Sequence, residues 1–347
     1  MYSFLSFNQT FQERTAITMS TVTLSNEKTF ICEPGVTLLD SAKKHGVVLE
    51  YSCRSGRCGV CRSHAVGETQ VIHHDESVLT AEELAAGFIL TCCRTAVADV
   101  RLDIEDLSLF ADIQSKTLPC RVDGVRRLAG DVVEVVLRLP PNNPLKYLPG
   151  QYVDVIGKNG VRRSYSVANA PRSDGKLELQ IRQVTDGVMS QYWFEEVAAN
   201  DLLRLEGPQG TFALRNTSPT NLIFLATGTG IAPVKAILEQ LIAEPAQVEG
   251  KSIRIYWGGR READLYWQPE LDSLPATFIP VLSRPGDGWS GRIGYVQDIV
   301  ESDAVELADA VVYACGSESM IHSAKEKLLA LGLPHKNFYS DAFVSSN

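Results

Sequence analysis

Apolar and polar positions change period along the chain, and the changes divide it. Near residue 100, Val100, Leu102 and Ile104 alternate with Arg101 and Asp103, the pattern of a strand with one buried face. Upstream, 22–32 reads as two short strands around a turn at Ser25 and Asn26, and 66–72 as another. Thr37 is placed to N-cap a helix running through His45, with Asp40 at the third helical position and Gly46 just past the end. Thr80 and Glu83 form a capping box for a second, short helix. These elements predict a small α+β domain over 19–110.

From 111 to 117 the pattern lapses into Asp112, Gln114, Ser115 and Lys116, a linker. Strand-like segments follow at 120–128, 132–139, 151–156, 161–167 and 177–184, separated by turn signals such as Pro149-Gly150 and Asn159-Gly160. Short strands at this spacing predict an antiparallel β-barrel over 118–216. Beyond it, 222–226 is a continuous apolar strand that runs into Gly228-Thr229-Gly230-Ile231-Ala232-Pro233 and an apolar helix ending at Leu241. Strands at 253–257, 278–282 and 311–314 alternate with helices, and 337–343 adds a last strand. A Rossmann-like parallel α/β domain over 217–347 is expected. The fold class is therefore multidomain, α+β followed by barrel followed by α/β.

At 347 residues and 44% hydrophobic, the chain is long enough for two or three cores. A formal net charge of −9 argues against nucleic acid or an anionic membrane surface as the main partner. There is no run of eighteen apolar residues. Residues 1–18 lack a basic segment followed by an apolar one and read as a disordered tail, with Met1 and Met19 both open as the start. A cytoplasmic location is expected.

Chemistry enters at the cysteines. Cys53, Cys58 and Cys61 form a C-x4-C-x2-C run, and Cys92 follows about thirty residues on, the plant-type [2Fe-2S] spacing. Three thiolates from one loop require backbone that wraps a cluster, and Gly56 and Gly59 permit that path. The alternative is structural zinc, because Cys58 and Cys61 are also a C-x2-C knuckle. A zinc ribbon needs a second such pair, and Cys92 and Cys93 are adjacent. Arg54, Arg57 and Arg62 around the loop are expected to raise a cluster's potential by favouring its reduced, more negative state. His73 and His74 beside Asp75 and Glu76 fit a solvated turn better than a metal site. Cys32, Cys120 and Cys315 are scattered, with no sign of a disulfide framework.

The cysteine run, with Leu90 and Thr91 before Cys92, resembles plant-type ferredoxins, which implies a β-grasp fold for 19–110. By that resemblance Cys93 points to the other side of the chain as a buried small residue. In the barrel, Pro149-Gly150-Gln151-Tyr152, Arg163-Ser164-Tyr165-Ser166 and Gly187-Val188-Met189-Ser190 occur in the order found in the flavin domain of the ferredoxin–NADP reductase superfamily. The resemblance implies that Arg163 clamps a flavin phosphate, Tyr165 stacks on the isoalloxazine ring and Ser166 reaches its N5. It implies also that Gly187 to Ser190 present a helix N-terminus to a pyrophosphate, hence FAD rather than FMN. Gly228, Thr229 and Gly230 would hold the nucleotide phosphates, with Pro233 where G-x-G-x-x-G has its third glycine. Cys315 and Gly316 would lie near the nicotinamide. Ser317 and Glu318 stand where the superfamily often has two prolines. Phe343 would cover the flavin, with a plain packing aromatic the alternative.

Ferredoxin domain, flavin barrel and nucleotide domain in this order resemble NADH-driven reductases. The resemblance implies electron flow from NADH through FAD and the [2Fe-2S] cluster to a protein acceptor. NADH is expected to be accepted, with NADPH also usable through Arg260 and Arg261. Residues 51–53, 89–93, 163–171, 206–211, 313–317 and 340–344 narrow the resemblance to reductases serving a pyridoxamine-phosphate-dependent CDP-hexulose dehydrase of 3,6-dideoxysugar synthesis. The reductase component of an aromatic or phenol oxygenase shares the cofactor motifs and is the alternative. A carrier protein with degenerate sites is a third reading, which the intact Arg163, Tyr165, Ser166 and Gly228 to Gly230 disfavour.

Overall fold

A computed structural model describes residues 19–157 and 160–343. The expected tail at 1–18 and Asn159 of the expected Asn159-Gly160 turn lie outside the described residues. The first unit contains β1 (Ser20–Leu24), β2 (Thr29–Cys32), α1 (Leu38–Lys44), β3 (Arg62–Val66), β4 (Thr69–Val71), α2 (Ala81–Ala85), β5 (Phe88–Leu90), β6 (Arg94–Ala96) and β7 (Val100–Leu102). Its main sheet runs β2-β1-β7-β3-β5, with β1 antiparallel to β2 and parallel to β7. Both expected helix caps form. Thr37 Oγ1 accepts from Asp40 N at 3.0 Å, and Thr80 and Glu83 exchange side-chain and backbone bonds. Leu38, Leu39 and Ala42 of α1 pack on Val22, Leu24 and Phe30 of the sheet.

The strand expected at 66–72 is two strands. Gly67 turns the chain at φ +126°, and a Cβ there would lie 2.5 Å from the Asp99 carbonyl, so β3 ends at Val66 and a separate β4 begins at Thr69.

The barrel consists of β8 (Lys116–Ala129), β9 (Val132–Arg138), β10 (Tyr152–Ile156), β11 (Arg162–Ser166), β12 (Lys176–Arg182) and β13 (Leu202–Gln209), with α3 (Val188–Gln191) between the last two. The sheet order is β11-β10-β13-β8-β9-β12, and an antiparallel bridge between Val167 and Leu179 closes it. β8 starts within the segment expected as linker, at Lys116. Alternation along β9 sends Val133, Val135 and Leu137 into the core beside Val153, Val155 and Leu179.

The third unit comprises β14 (Asn221–Thr227), α4 (Ile231–Ala243), β15 (Ser252–Gly259), β16 (Ala276–Leu282), β17 (Arg292–Ile293), α5 (Val296–Ser302), β18 (Ala310–Ser317), α6 (Glu318–Ala330) and β19 (Phe338–Phe343). Its strands are all parallel, in the order β17-β16-β15-β14-β18-β19. The expected alternation with helices fails twice: β15 passes to β16 through a stretch with only a short 3-10 turn, Glu262–Asp264, and β16 passes to β17 with no helix between them. In α4, Ile231, Val234, Ile237, Leu238 and Leu241 are buried; truncating one such leucine or isoleucine to alanine costs about 2–5 kcal/mol.

Candidate functional site

The chain leaves regular structure at the end of α1, Lys44, and returns to it at β3 after the cysteine loop. Gly56 and Gly59 take φ +75° and +69°, and a Cβ at Gly56 would lie 2.6 Å from the Asp75 carbonyl, so only glycine fits there without displacement. Cys58, Cys61 and Cys92 are buried and Cys53 is partly exposed. The sulfurs fall into two pairs: Cys61 Sγ lies 3.3 Å from Cys92 Sγ, and Cys53 and Cys58 are near enough to shift each other's pKa in opposite directions. The partner thiol pulls Cys53 and Cys92 well below the ordinary thiol range. Two thiols for each of two metals is the donor set of a two-iron cluster. Among the described residues, no three His, Cys, Asp or Glu side chains gather as a single-metal site. His73 and His74 are exposed, with rings 6.3 Å apart.

Cys93 is buried as expected, but it does not point away. Its Sγ lies 3.6 Å from Cys92 Sγ, because residues 91–93 form a turn rather than a strand and side chains there do not alternate. The arginines also differ from expectation. Arg54 pairs with Asp40 at 2.5 Å, Arg57 with Glu318 at 3.4 Å and Arg62 with Glu83 at 3.1 Å. The positive field expected around the loop is therefore largely offset by carboxylates.

On the barrel, Arg163 and Tyr165 project from the same face of β11, two residues apart. Arg163 is half-buried, and its Nη1 donates to the Arg162 carbonyl at 2.7 Å. Tyr165 is held from below: its hydroxyl accepts from Trp193 Nε1 at 3.1 Å, and the rings meet edge to face at 6.3 Å. Gly187 is the N-cap residue of α3, whose single α-helical turn runs on into a π-helical segment, Tyr192–Glu196. Ser190 is buried, and its hydroxyl accepts from Val184 N at 2.9 Å, bracing that turn internally.

At the carboxyl end of β14, Gly228 (φ +55°), Thr229 and Gly230 form a 3-10 turn leading into α4. A Cβ on Gly230 would lie 2.2 Å from the Cys315 carbonyl, and one on Gly316 would lie 2.2 Å from Thr227 Oγ1. The missing side chains let the turn and the end of β18 touch. Ser317, where a proline was the family pattern, caps α6 through Met320 N at 3.3 Å. Phe343, 36% exposed, lies outside the core and lines a shallow cavity with Ser317, Glu318 and His322.

The three sets of residues meet at Asp341, which sequence reasoning missed. Asp341 lies on β19 and is 4% exposed. Its Oδ1 accepts from Ser52 Oγ at 2.6 Å, one residue before Cys53, and its Oδ2 lies 3.9 Å from Cys315 Sγ. Ser166, the last residue of β11, is near enough to lower the pKa of the same carboxyl. Burial pushes this carboxyl up to about 6, against the pull of the Ser52 hydrogen bond. Burial also holds the Cys315 thiol far above the ordinary range, so it is a neutral contact surface. An aspartate within the last strand, between Ser340 and Ala342, was the available signal.

Three family models cover this arrangement. Residues 22–97 match a 2Fe-2S iron-sulfur cluster binding domain, 119–214 an oxidoreductase FAD-binding domain and 224–326 an oxidoreductase NAD-binding domain. The chain belongs to the iron–sulfur flavoprotein reductases, oxidoreductases whose cofactors are a [2Fe-2S] cluster, FAD and NADH. Among curated relatives it is 40% identical, over 89% of its length and 94% of theirs, to the CDP-6-deoxy-L-threo-D-glycero-4-hexulose-3-dehydrase reductase of Yersinia pestis. Component 1 of the terephthalate 1,2-dioxygenase reductase of Comamonas is 31% identical over 91% of this chain and 95% of that protein. Among solved structures, an Amycolatopsis cytochrome P450 reductase superposes with a TM-score of 0.73 at 28% identity, covering 94% of this chain and 99% of that one. Among the described residues, no helix is long and apolar enough to cross a membrane.

Proposed function

We propose that electrons pass from NADH to FAD to the [2Fe-2S] cluster to a protein acceptor, and that the acceptor is a pyridoxamine-phosphate-dependent CDP-6-deoxyhexulose 3-dehydrase of 3,6-dideoxysugar synthesis in the cytoplasm. The observation that carries the electron order is the junction at Asp341, where the cluster loop, the flavin strand and the nucleotide sheet share one buried carboxyl. The flavin, when bound, turns a two-electron hydride into the single electrons a cluster can carry.

In this reading Cys53, Cys58, Cys61 and Cys92 hold the irons. Arg163 offers a charge-assisted fork to a flavin phosphate, and the turn at Gly187 to Ser190 offers its N–H groups to the pyrophosphate. Tyr165, braced by Trp193, gives a fixed ring face to the flavin, and Ser166 directs a hydroxyl at its reacting edge. Gly228, Thr229 and Gly230 take the nucleotide phosphates. Cys315 and Gly316 form the floor beneath the nicotinamide, and Phe343 covers the flavin from the open side.

The dehydrase assignment rests on the 40% identity that spans nearly the full length of both chains. The oxygenase alternative has the weaker 31% relative behind it. Stopped-flow oxidation of the NADH-reduced protein, with purified dehydrase and an oxygenase component offered separately, decides between them. Faster reoxidation by the dehydrase is expected; faster reoxidation by the oxygenase reverses the assignment.

A further inference from the structure

The link between cluster loop and hydride site is a specific piece of the molecule. Ser52, 3% exposed, sends its hydroxyl to Asp341 Oδ1 at 2.6 Å, while its carbonyl accepts from the Tyr152 hydroxyl at 2.9 Å. Just before it, Tyr51 is pinned to the barrel: its carbonyl accepts from Thr211 N at 3.1 Å, and its N–H donates to Thr211 Oγ1 at 2.9 Å. The next residue is Cys53, which lines a cavity of about 370 Å³ together with Cys92 from the cluster side and Tyr152 and Ser164 from the barrel side. Two ion pairs also leave this unit, Glu50 to Arg215 and Arg57 to Glu318, the latter longer at 3.4 Å with 43% and 31% of the two side chains exposed. An exposed ion pair contributes little, whereas a buried hydroxyl on a carboxylate is among the stronger bonds.

We propose that Ser52 is a positioning residue for electron transfer from the flavin site to the cluster, fixing Cys53 against the barrel and the nucleotide sheet through Asp341 and Tyr152. In each transfer the reduced flavin is oxidised by one electron and the cluster is reduced by one; no bond forms or breaks between them, and NADH supplies both electrons of the pair. The residue's task is to hold the distance constant. A misplacement of about 1 Å at a reacting centre can cost about 100-fold in rate. Removing the Ser52 hydroxyl leaves Asp341 beside Ser166 and Cys315, so the hydride side keeps its geometry while the cluster loop loses its buried bond to Asp341.

The inference rests on the electron order proposed above, and the test separates the two. Anaerobic holoenzyme is mixed with NADH, flavin bleaching is followed by stopped-flow absorbance, and cluster reduction by freeze-quench EPR. In Ser52→Ala the flavin phase should stay within about twofold of wild type, while the cluster phase slows by about tenfold or more. The EPR g-values of the reduced cluster should also shift, which a loss of global stability alone would not produce. Tyr152→Phe, which removes only the donor to the Ser52 carbonyl, should show the same split to a smaller degree. A wild-type rate of cluster reduction in Ser52→Ala overturns the proposal. Should that variant fail to assemble its cluster, a wild-type rate in Tyr152→Phe overturns it instead. If NADH fails to reduce the cluster of the wild-type protein, the electron order itself is at fault.

Discussion

Asp341→Asn probes the junction through stability rather than turnover. Burial, aided by the negative charge of the nearby Cys53 thiolate, holds the Asp341 carboxyl at about 6, and Ser52, Cys315 and Ser166 offset that only in part. In the unfolded chain an aspartate titrates near 3.9. Between those two values the folded protein keeps a proton that the unfolded chain has released. This group's contribution to stability is therefore fully present below about 4 and falls away as pH rises through about 6. A gap of about two pKa units corresponds to about 3 kcal/mol. Asparagine cannot ionise, and its amide oxygen can still accept from Ser52 Oγ. The stability of Asp341→Asn minus that of wild type should thus move by about 3 kcal/mol in favour of the variant between about pH 4 and pH 7.5. Urea unfolding followed by fluorescence of Trp257 and Trp267, both in the nucleotide unit, reads this difference, and taking the difference cancels the other titrating groups. A difference that stays flat across this range, or that moves toward wild type, would refute the claim that burial dominates at this carboxyl.

Arg163→Ala should weaken FAD binding by about 10- to 100-fold, the loss of charge-assisted hydrogen bonds to a phosphate; flavin retention on gel filtration identical to wild type would count against that role. Gly230→Ala should abolish reduction by NADH while dithionite still reduces flavin and cluster, since the added Cβ would lie 2.2 Å from the Cys315 carbonyl. Gly258 and Gly259 offer no clamp to a ribose while Arg260 and Arg261 are exposed, so NADH should be accepted and NADPH usable. A kcat/KM for NADPH about 100-fold above that for NADH would contradict this.

Local chemistry was legible in the sequence, and long-range meetings were not. The cysteine spacing, the caps at Thr37 and Thr80, and the strand–glycine turn–helix at 222–241 are each written within a few residues, so pattern alone recovers them. β5 and β6 have three residues each, too few for alternation to register. β13 was passed over because Gly207 and Pro208 interrupt an otherwise alternating Leu-Leu-Arg-Leu-Glu. Ser52 and Asp341 stand 289 positions apart, and no local signal pairs a serine before a cluster cysteine with an aspartate in the last strand. The arginines of the cluster loop were identified, but two of their carboxylates come from other elements of the first unit and one from the nucleotide unit.

The central claim is that the cluster stands between flavin and acceptor, and Cys58→Ser tests it most directly. Cys58 is buried in an apolar cluster made chiefly of nucleotide-unit residues, Ile321 and Ala342 among them, so the single-atom change keeps the seam's shape while weakening the cluster's donor set. With FAD retained, the variant should still pass electrons from NADH to ferricyanide, which collects them from flavin. Reduction of the dehydrase, or of cytochrome c as its substitute, should fall to background. Full transfer to the protein acceptor by a variant lacking its [2Fe-2S] cluster would contradict the order NADH, FAD, cluster, acceptor.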